Sequence, residues 1–342
     1  MQRIRKAGKV VFHSVGDTGE RGAGNNQDNV VAKMQEDFNE ATDGDVPSFF
    51  FHLGDVVYSF GAHDEYYDQF FDRYRDYPAP IFAIAGNHDG LVASGSAAEP
   101  LDAFLANFCA PKAVLSPDSK GLSRKTMTQP GVYFSLDAPN VRIIGLYSNV
   151  LENPGVISNQ NAGAQSPVDN QQLDFLTSQF TALRDSKYQG AIILAVHHPP
   201  YTGGGLHGPS PGLLADLETV FSKVGLYPHC VLSGHAHNHQ RFTREITVGG
   251  TTLQIPFIVA GNGGHGLQAV PGKASTGPLR PPHKITPDLT FESAASVYGY
   301  LRIVVSPAVL RLEFHDITDN DKTPSDHVNI DIASRTLTTK SP

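Results

Sequence analysis

The sequence predicts an α/β fold in which mixed β-sheets pack together and are covered by helices. Three observations carry that expectation. Apolar, strand-like runs repeatedly end in polar turns led by glycine; stretches of helical period separate them; and past residue 237 the helices give way to alternating segments.

The first run, about residues 10–15, ends in Gly16-Asp17-Thr18-Gly19, and helical periodicity follows from Asp28 to Ala41. Phe49-Phe50-Phe51-His52-Leu53 then ends in Gly54-Asp55, and an aromatic amphipathic stretch covers Asp64 to Tyr74. Ile81 to Ala85 runs into Gly86-Asn87-His88-Asp89. The pattern returns when the helix-like segment Asp169 to Arg184 precedes Ala191 to Val196, which meets His197-His198-Pro199-Pro200. A helix at about 213–223 leads to Cys230-Val231-Leu232 and Gly234-His235-Ala236-His237. Alternation at about 240–247, 252–260, 297–305 and 309–315 reads as antiparallel strands, with Gly249-Gly250 as a hairpin turn. The last of these strands are expected to close the second sheet. Three stretches rich in Gly, Pro, Asn and Ser read as long loops: Ser148 to Pro167, Tyr201 to Gly212 and Asn262 to Ser296. No Gly/Ser linker separates independent units, so residues 1–342 are expected to form one domain.

A hydrophobic share of 40% and a charged share of 18% suit a chain with a core and exclude a disordered tail. The net charge of −8, without a Lys/Arg-rich stripe, argues against a nucleic-acid partner. Cys109 and Cys230 are the only cysteines, too few for a disulfide framework or a thiolate metal site. Met1 to Lys9 is basic but leads straight into Val10-Val11-Phe12 without an apolar leader core, and no apolar run is long enough to span a bilayer. The expectation is a soluble chain with no membrane partner. Its compartment stays open, periplasmic or secreted if a leader had been removed.

Ligands of open α/β sheets gather outside the carboxyl ends of the strands. Here each such end offers a metal-binding side chain: Asp17, Asp55, Asn87, His197 and the pair His235 and His237. Carboxylate and amide oxygens with imidazoles form a mixed hard and borderline set suited to iron, zinc or manganese. One bridging carboxylate would let the set hold two ions. Asp-Gly, Asn-His and Gly-His are also ordinary turn chemistry, so the weight lies in their combination and order.

In that order the blocks resemble the calcineurin-like metallophosphoesterases, and among them the purple acid phosphatases of the small, tartrate-resistant type. The resemblance spans about residues 17–237 and implies a four-layer αββα sandwich of two mixed β-sheets flanked by helices. Most metallophosphoesterases carry Asp-x-His in the first block, where this chain has Gly19. Tyr58, three residues after Asp55, stands where purple acid phosphatases supply the missing ligand. By resemblance Asp17, Asp55, Tyr58 and His237 hold Fe(III), and Asp55 bridges to a divalent ion (Fe, Zn or Mn) completed by Asn87, His197 and His235. His197 is preferred to His198 because the family's ligand lies two residues before a proline.

The resemblance implies hydrolysis of phosphate monoesters with a metal-bound hydroxide as nucleophile. Asn87, His88 and His207 would contact the phosphate of a small-molecule ester, and His88 or His207 would be the general acid. His207 opens a His-Gly-Pro segment similar to one in the small purple acid phosphatases. Phosphodiesterase action, including on cyclic nucleotides, is the alternative on the same centre. A catalytically silent interaction module is the non-enzymatic one. Asp89 is expected to orient its loop and His265 to border the pocket, while His13, His52, His63, His229 and His239 read as structural.

Overall fold

The computed structural model describes residues 6–342 apart from 23–25, 41, 43, 162–167, 205, 271, 272, 275, 276, 279, 319–322 and 340. Parts of the basic start and of all three expected loops therefore lie outside the described residues.

Strand β1 (Val10–Val15) leads through helix α1 (Asn26–Glu40) to β2 (Phe50–His52) and β3 (Ile81–Ala83), and these three strands pair in parallel. Their other flank is built from the far end of the chain. β14 (Gly299–Val305) pairs antiparallel with β1, followed by β15 (Val309–Asp316), β16 (Asp326–Asp331) and β17 (Thr336–Leu337), giving a seven-stranded sheet. The C-terminal strands thus complete the first sheet, not the second as the sequence suggested. Alternation reveals which residues face inward but not which edge a strand joins.

The second sheet has eight strands, with β5 (Val141–Leu146), β6 (Ala191–Val196), β7 (Cys230–Ser233) and β9 (Thr251–Ala260) parallel at its centre. β4 (Phe134–Ala138) flanks β5, and β8 (His239–Val248), β13 (Leu289–Ala295) and β12 (His283–Thr286) extend beyond β9. The two-residue strands β10 (Lys273–Ala274) and β11 (Gly277–Pro278) pair antiparallel. Strands β10 to β13 overturn the reading of 262–296 as one loop; its Gly and Pro content masked short strands whose alternation is weak. Gly249 and Gly250, at φ of 57° and 84°, make the tight turn joining β8 to β9, a conformation that would strain other residues.

Strand alternation divides the core into layers. On β6, Ala191, Ile193 and Ala195 face the first sheet, where they meet Phe12, Phe51, Leu301 and Ile303. Ile192, Leu194 and Val196 face outward, under α4 (Gln171–Asp185) and α5 (Pro211–Val224) through Leu176, Phe180, Leu217 and Phe221. On the opposite face α1 places Val30, Val31 and Met34 against Val15 and Phe50, in a layer shared with the short helix α3 (Asp102–Phe108), while the one-turn helix α2 (Asn87–Gly90) follows β3 in the chain. The result is the helix, sheet, sheet, helix sandwich. Among the described residues no helix is long and apolar enough to cross a membrane. The aromatic stretch expected to be helical over 64–74 forms a π-helical turn at Tyr67–Phe71. This turn carries the buried Gln69, whose side chain bonds both the backbone N–H and C=O of Tyr58.

One buried histidine links the two sheets. His229 Nδ1 accepts the Ile192 N–H of β6 at 2.8 Å, and Nε2 donates to the Ile332 carbonyl just beyond β16 at 3.0 Å. Both bonds require the neutral ring, and burial, assisted by Arg335, pushes its pKa down to about 3. The unfolded chain therefore takes up a proton near pH 6.5 that the folded chain refuses. The contribution to stability is full above that value and falls by about 1.4 kcal/mol per pH unit as pH drops toward the folded value. Urea unfolding of His229→Gln between pH 7 and pH 4 should show a shallower loss of stability than the parent chain.

Candidate metal centre

The two sheets meet with the carboxyl ends of β1, β2 and β3 beside those of β6 and β7, so the residues just past these ends converge. Asp17, Asp55 and His235 hold left-handed backbone with φ of 56°, 52° and 67°. Left-handed backbone is costly for non-glycine residues and collects at functional sites. The turns also need neighbours without side chains. A Cβ on Gly86 would lie 2.1 Å from Asp55 Oδ1 and 2.4 Å from the Asp55 nitrogen. One on Gly19 would lie within 2.8 Å of the Val56 carbonyl and Val57 Cα. The chain therefore has no room for a histidine at position 19, and the tyrosine from the second turn fills that side of the centre.

All seven sequence-predicted metal ligands come together. The Tyr58 hydroxyl lies 2.9 Å from Asp55 Oδ2, 3.1 Å from Asp17 Oδ1 and 3.4 Å from His237 Nε2. Asn87 Oδ1 lies 3.1 Å from both His197 Nε2 and His235 Nδ1, and His197 Nε2 lies 3.4 Å from Asp55 Oδ2. Asp55, His197 and His235 each turn one donor atom into a space where these atoms lie within 4.8 Å of one another.

The proton positions show what such a cluster lacks. His197 Nδ1 donates to the Leu53 carbonyl at 2.8 Å, and His237 Nδ1 to the Gly266 carbonyl at 2.8 Å. In the neutral rings the Nε2 lone pairs therefore point at oxygens that are themselves acceptors. Acceptors crowded in this way need a cation between them, either protons or metal ions. Without metal, protons take the role. Burial alone would lower His197, but the Asp55 and Asp17 carboxylates outweigh it and hold the ring at about 10. Burial raises Asp17 well above the carboxylate range, with the Asp55 charge adding to it against His197. Burial and both carboxylates likewise raise Tyr58. The donor set, two carboxylates, one phenol, one amide oxygen and three imidazoles, fits hard or borderline metal ions.

Residues 11–239 match the family model described as calcineurin-like phosphoesterase. The chain belongs to this family. Its fold is also that of a purple acid phosphatase from yellow lupin (Lupinus luteus) seeds, with TM-score 0.62 and 17% identity over 97% of this chain. This chain spans 57% of the lupin chain's length. GAP50, the anchor in the inner membrane complex of Plasmodium, matches with TM-score 0.60 and 14% identity over 94% of this chain and 89% of that one. A dimetal phosphatase from Danio rerio matches with TM-score 0.50 and 12% identity over 94% and 99%. At these identities the likeness is one of fold. No curated protein matches the sequence. The family is one of phosphoesterases, and candidate metal-binding residues are in place in this chain.

Around the centre, Asp89 accepts the N–H groups of Val56, Val57 and Gly86 and so braces two of the turns. His198, the neighbour passed over as a ligand, spends its nitrogens on Ser148 Oγ at 2.6 Å and the Leu151 carbonyl at 2.7 Å. His265 borders the site more closely than the sequence implied, with its ring parallel to Tyr58 at 3.7 Å between centroids. His88 Nδ1 donates to the Ser59 carbonyl at 2.7 Å. His207 lies over His235 with centroids 4.2 Å apart. The five histidines read as structural bond elsewhere: His13 to Asp37, His52 to Thr18, His63 to Asp118, His229 as described and His239 to Asp326. Glu152 carries no signal in the sequence, as a lone acidic residue in a Pro/Gly-rich loop; its contacts appear only in three dimensions. Beside Tyr58 and His265 opens a cleft of ≈ 420 Å³ that also includes Arg21, Phe60 and Glu65.

The crowding at Gly86 gives a direct test. Gly86→Ala should displace the Asp55 carboxylate and release bound metal while far-ultraviolet circular dichroism stays unchanged, with elemental analysis as the readout.

Proposed function

We propose that this phosphoesterase hydrolyses phosphate monoesters at a binuclear centre of the purple acid phosphatase kind. Asp17, Asp55, Tyr58 and His237 would hold Fe(III), and Asp55, Asn87, His197 and His235 would hold a divalent ion, iron, zinc or manganese. One observation carries the reading. The Tyr58 oxygen sits within 3.1 Å of two buried carboxylates, where a phenol without a cation keeps its proton. A phenolate there needs high positive charge beside it, which a trivalent hard ion supplies. The proposal takes residues 1–342 as one domain, since β1 and β14 to β16, from opposite ends of the chain, share a sheet.

When bound, the metal pair would lower the pKa of water and neutralise charge developing on the phosphoryl oxygens. The chain's own groups do the rest. The carboxylates and Tyr58 offset most of the metal charge, leaving an excess that attracts an anionic phosphate into an acidic protein. Asn87 fixes the inner wall of the site. His88 Nε2 is left to the substrate side by the Nδ1 bond to Ser59. His207, over His235, is the second imidazole able to hold or deliver a proton to the leaving oxygen. The substrate is a small phosphate ester. All seven candidate ligands are present, which favours the enzyme over a silent interaction module.

A visible absorption spectrum with elemental analysis of the same sample is the deciding experiment. The expected result is a broad band, bleached by Tyr58→Phe, and two metals per chain including iron. A colourless, zinc- or manganese-loaded protein would overturn the iron assignment. p-Nitrophenyl phosphate should be cleaved faster than its bis ester; the reverse order would make the protein a phosphodiesterase. Asp55→Asn should lose a metal and most activity. His207→Ala should keep both metals and lower kcat by about 10²-fold or more.

A further inference from the structure

Three histidines line the centre, and they are not equally supported. His197 and His237 each anchor the nitrogen that faces away from the centre on a backbone carbonyl, Leu53 and Gly266. His235 does not. Its Nδ1 faces Asn87 Oδ1, and its Nε2 is buried without a hydrogen-bond partner. A ligating imidazole normally donates its second N–H to a carboxylate or carbonyl, which sets the tautomer and the ring angle.

Asn87 poses a related problem. Its amide can turn either oxygen or nitrogen toward the centre, and only the oxygen can ligate. One side chain answers both needs. Glu152 Oε2 accepts Asn87 Nδ2 at 3.2 Å, which turns Asn87 Oδ1 toward His197 and His235. The Glu152 carboxylate, a ring nitrogen of His207 and one of His235 all lie within 4.8 Å of one another. Glu152 Oε1 is 3.2 Å from His207 Nδ1, and Oε2 is 4.0 Å from His88 Nε2. The Glu152 side chain is 56% exposed, while His235 Nε2 is buried.

We infer that Glu152 is a positioning residue of the divalent half of the centre. It orients the Asn87 amide and offers the missing acceptor to His235. This rests on the two-metal reading proposed above. Among the described residues no hydrogen bond or ion pair joins Glu152 to Tyr58, Asp17 or His237, so the iron half should not depend on it. The same carboxylate also sits among Asn87, His88 and His207, the groups assigned to the substrate phosphate. Glu152 could therefore be opposed as a mere occupant of the phosphate position, and the test separates the two roles.

The divalent ion is titrated from the full-length protein with a competing chelator, in the parent chain, Glu152→Ala and Glu152→Gln. The tyrosinate band is followed in parallel, along with inhibition by inorganic phosphate. Glu152→Ala is expected to weaken divalent-ion binding by about 10- to 100-fold with the visible band unchanged. Glu152→Gln, which keeps an amide oxygen as acceptor, should recover most of that loss. Divalent affinity within twofold of the parent in Glu152→Ala would overturn the inference. So would tighter phosphate inhibition at unchanged metal affinity, the mark of an occupant removed. Loss of the band together with the divalent ion would also overturn it, because the effect would not be confined to one half. A parent chain that binds no second metal would instead refute the two-metal reading itself.

Discussion

The structure is organised around a concentration of buried acceptors that only cations can hold together. A phenol oxygen lies within 3.1 Å of each of two carboxylates, with imidazole lone pairs and an amide oxygen beside them. In water such groups would repel or hydrate. Buried, they need either protons, which is why His197 and Tyr58 retain theirs so strongly, or metal ions. The rest of the fold serves to bring them together and keep them there.

The means is backbone, not side-chain packing. Parallel strands of both sheets end at the same edge of the sandwich, and each end turns sharply through left-handed residues or glycine. Gly234 and Gly261 let two chain segments pass beside Asp17 Oδ2, where added Cβ atoms would lie 2.5 and 2.7 Å away. Asp89 then ties the second and third turns through three backbone N–H groups. A rigid frame of this kind suits catalysis that depends on positions fixed before substrate arrives. It also explains the exchange of histidine for tyrosine: the tight packing of Gly19 against Val56 and Val57 leaves only Tyr58 to reach between the carboxylates.

The two halves of the centre are supported differently. The tyrosine side is held by stacking with His265 and by Gln69, which bonds both backbone groups of Tyr58. The Asn87 and His235 side opens toward His88, His207 and the exposed Glu152.

Much of the candidate site was legible in the sequence because candidate ligands just past strand ends lie within short, ordered blocks: Gly-Asp, Gly-Asn-His-Asp, His-His-Pro and Gly-His-Ala-His. Strand periodicity is local, so β1, β6, β7, β8 and β9 could be placed from their residues alone. Sheet membership is not local. Alternation cannot say that β14 joins β1, nor can a Gly/Pro-rich stretch announce β12 and β13, because edges are chosen by what the rest of the chain leaves unpaired. For the same reason Glu152, the His265 stack on Tyr58 and the Gln69 brace were decided only in three dimensions. Each is an ordinary residue in an unremarkable segment, made significant by a neighbour far away in sequence. The residue types and their order determined the chemistry of the centre, and the tertiary structure determined which groups orient it.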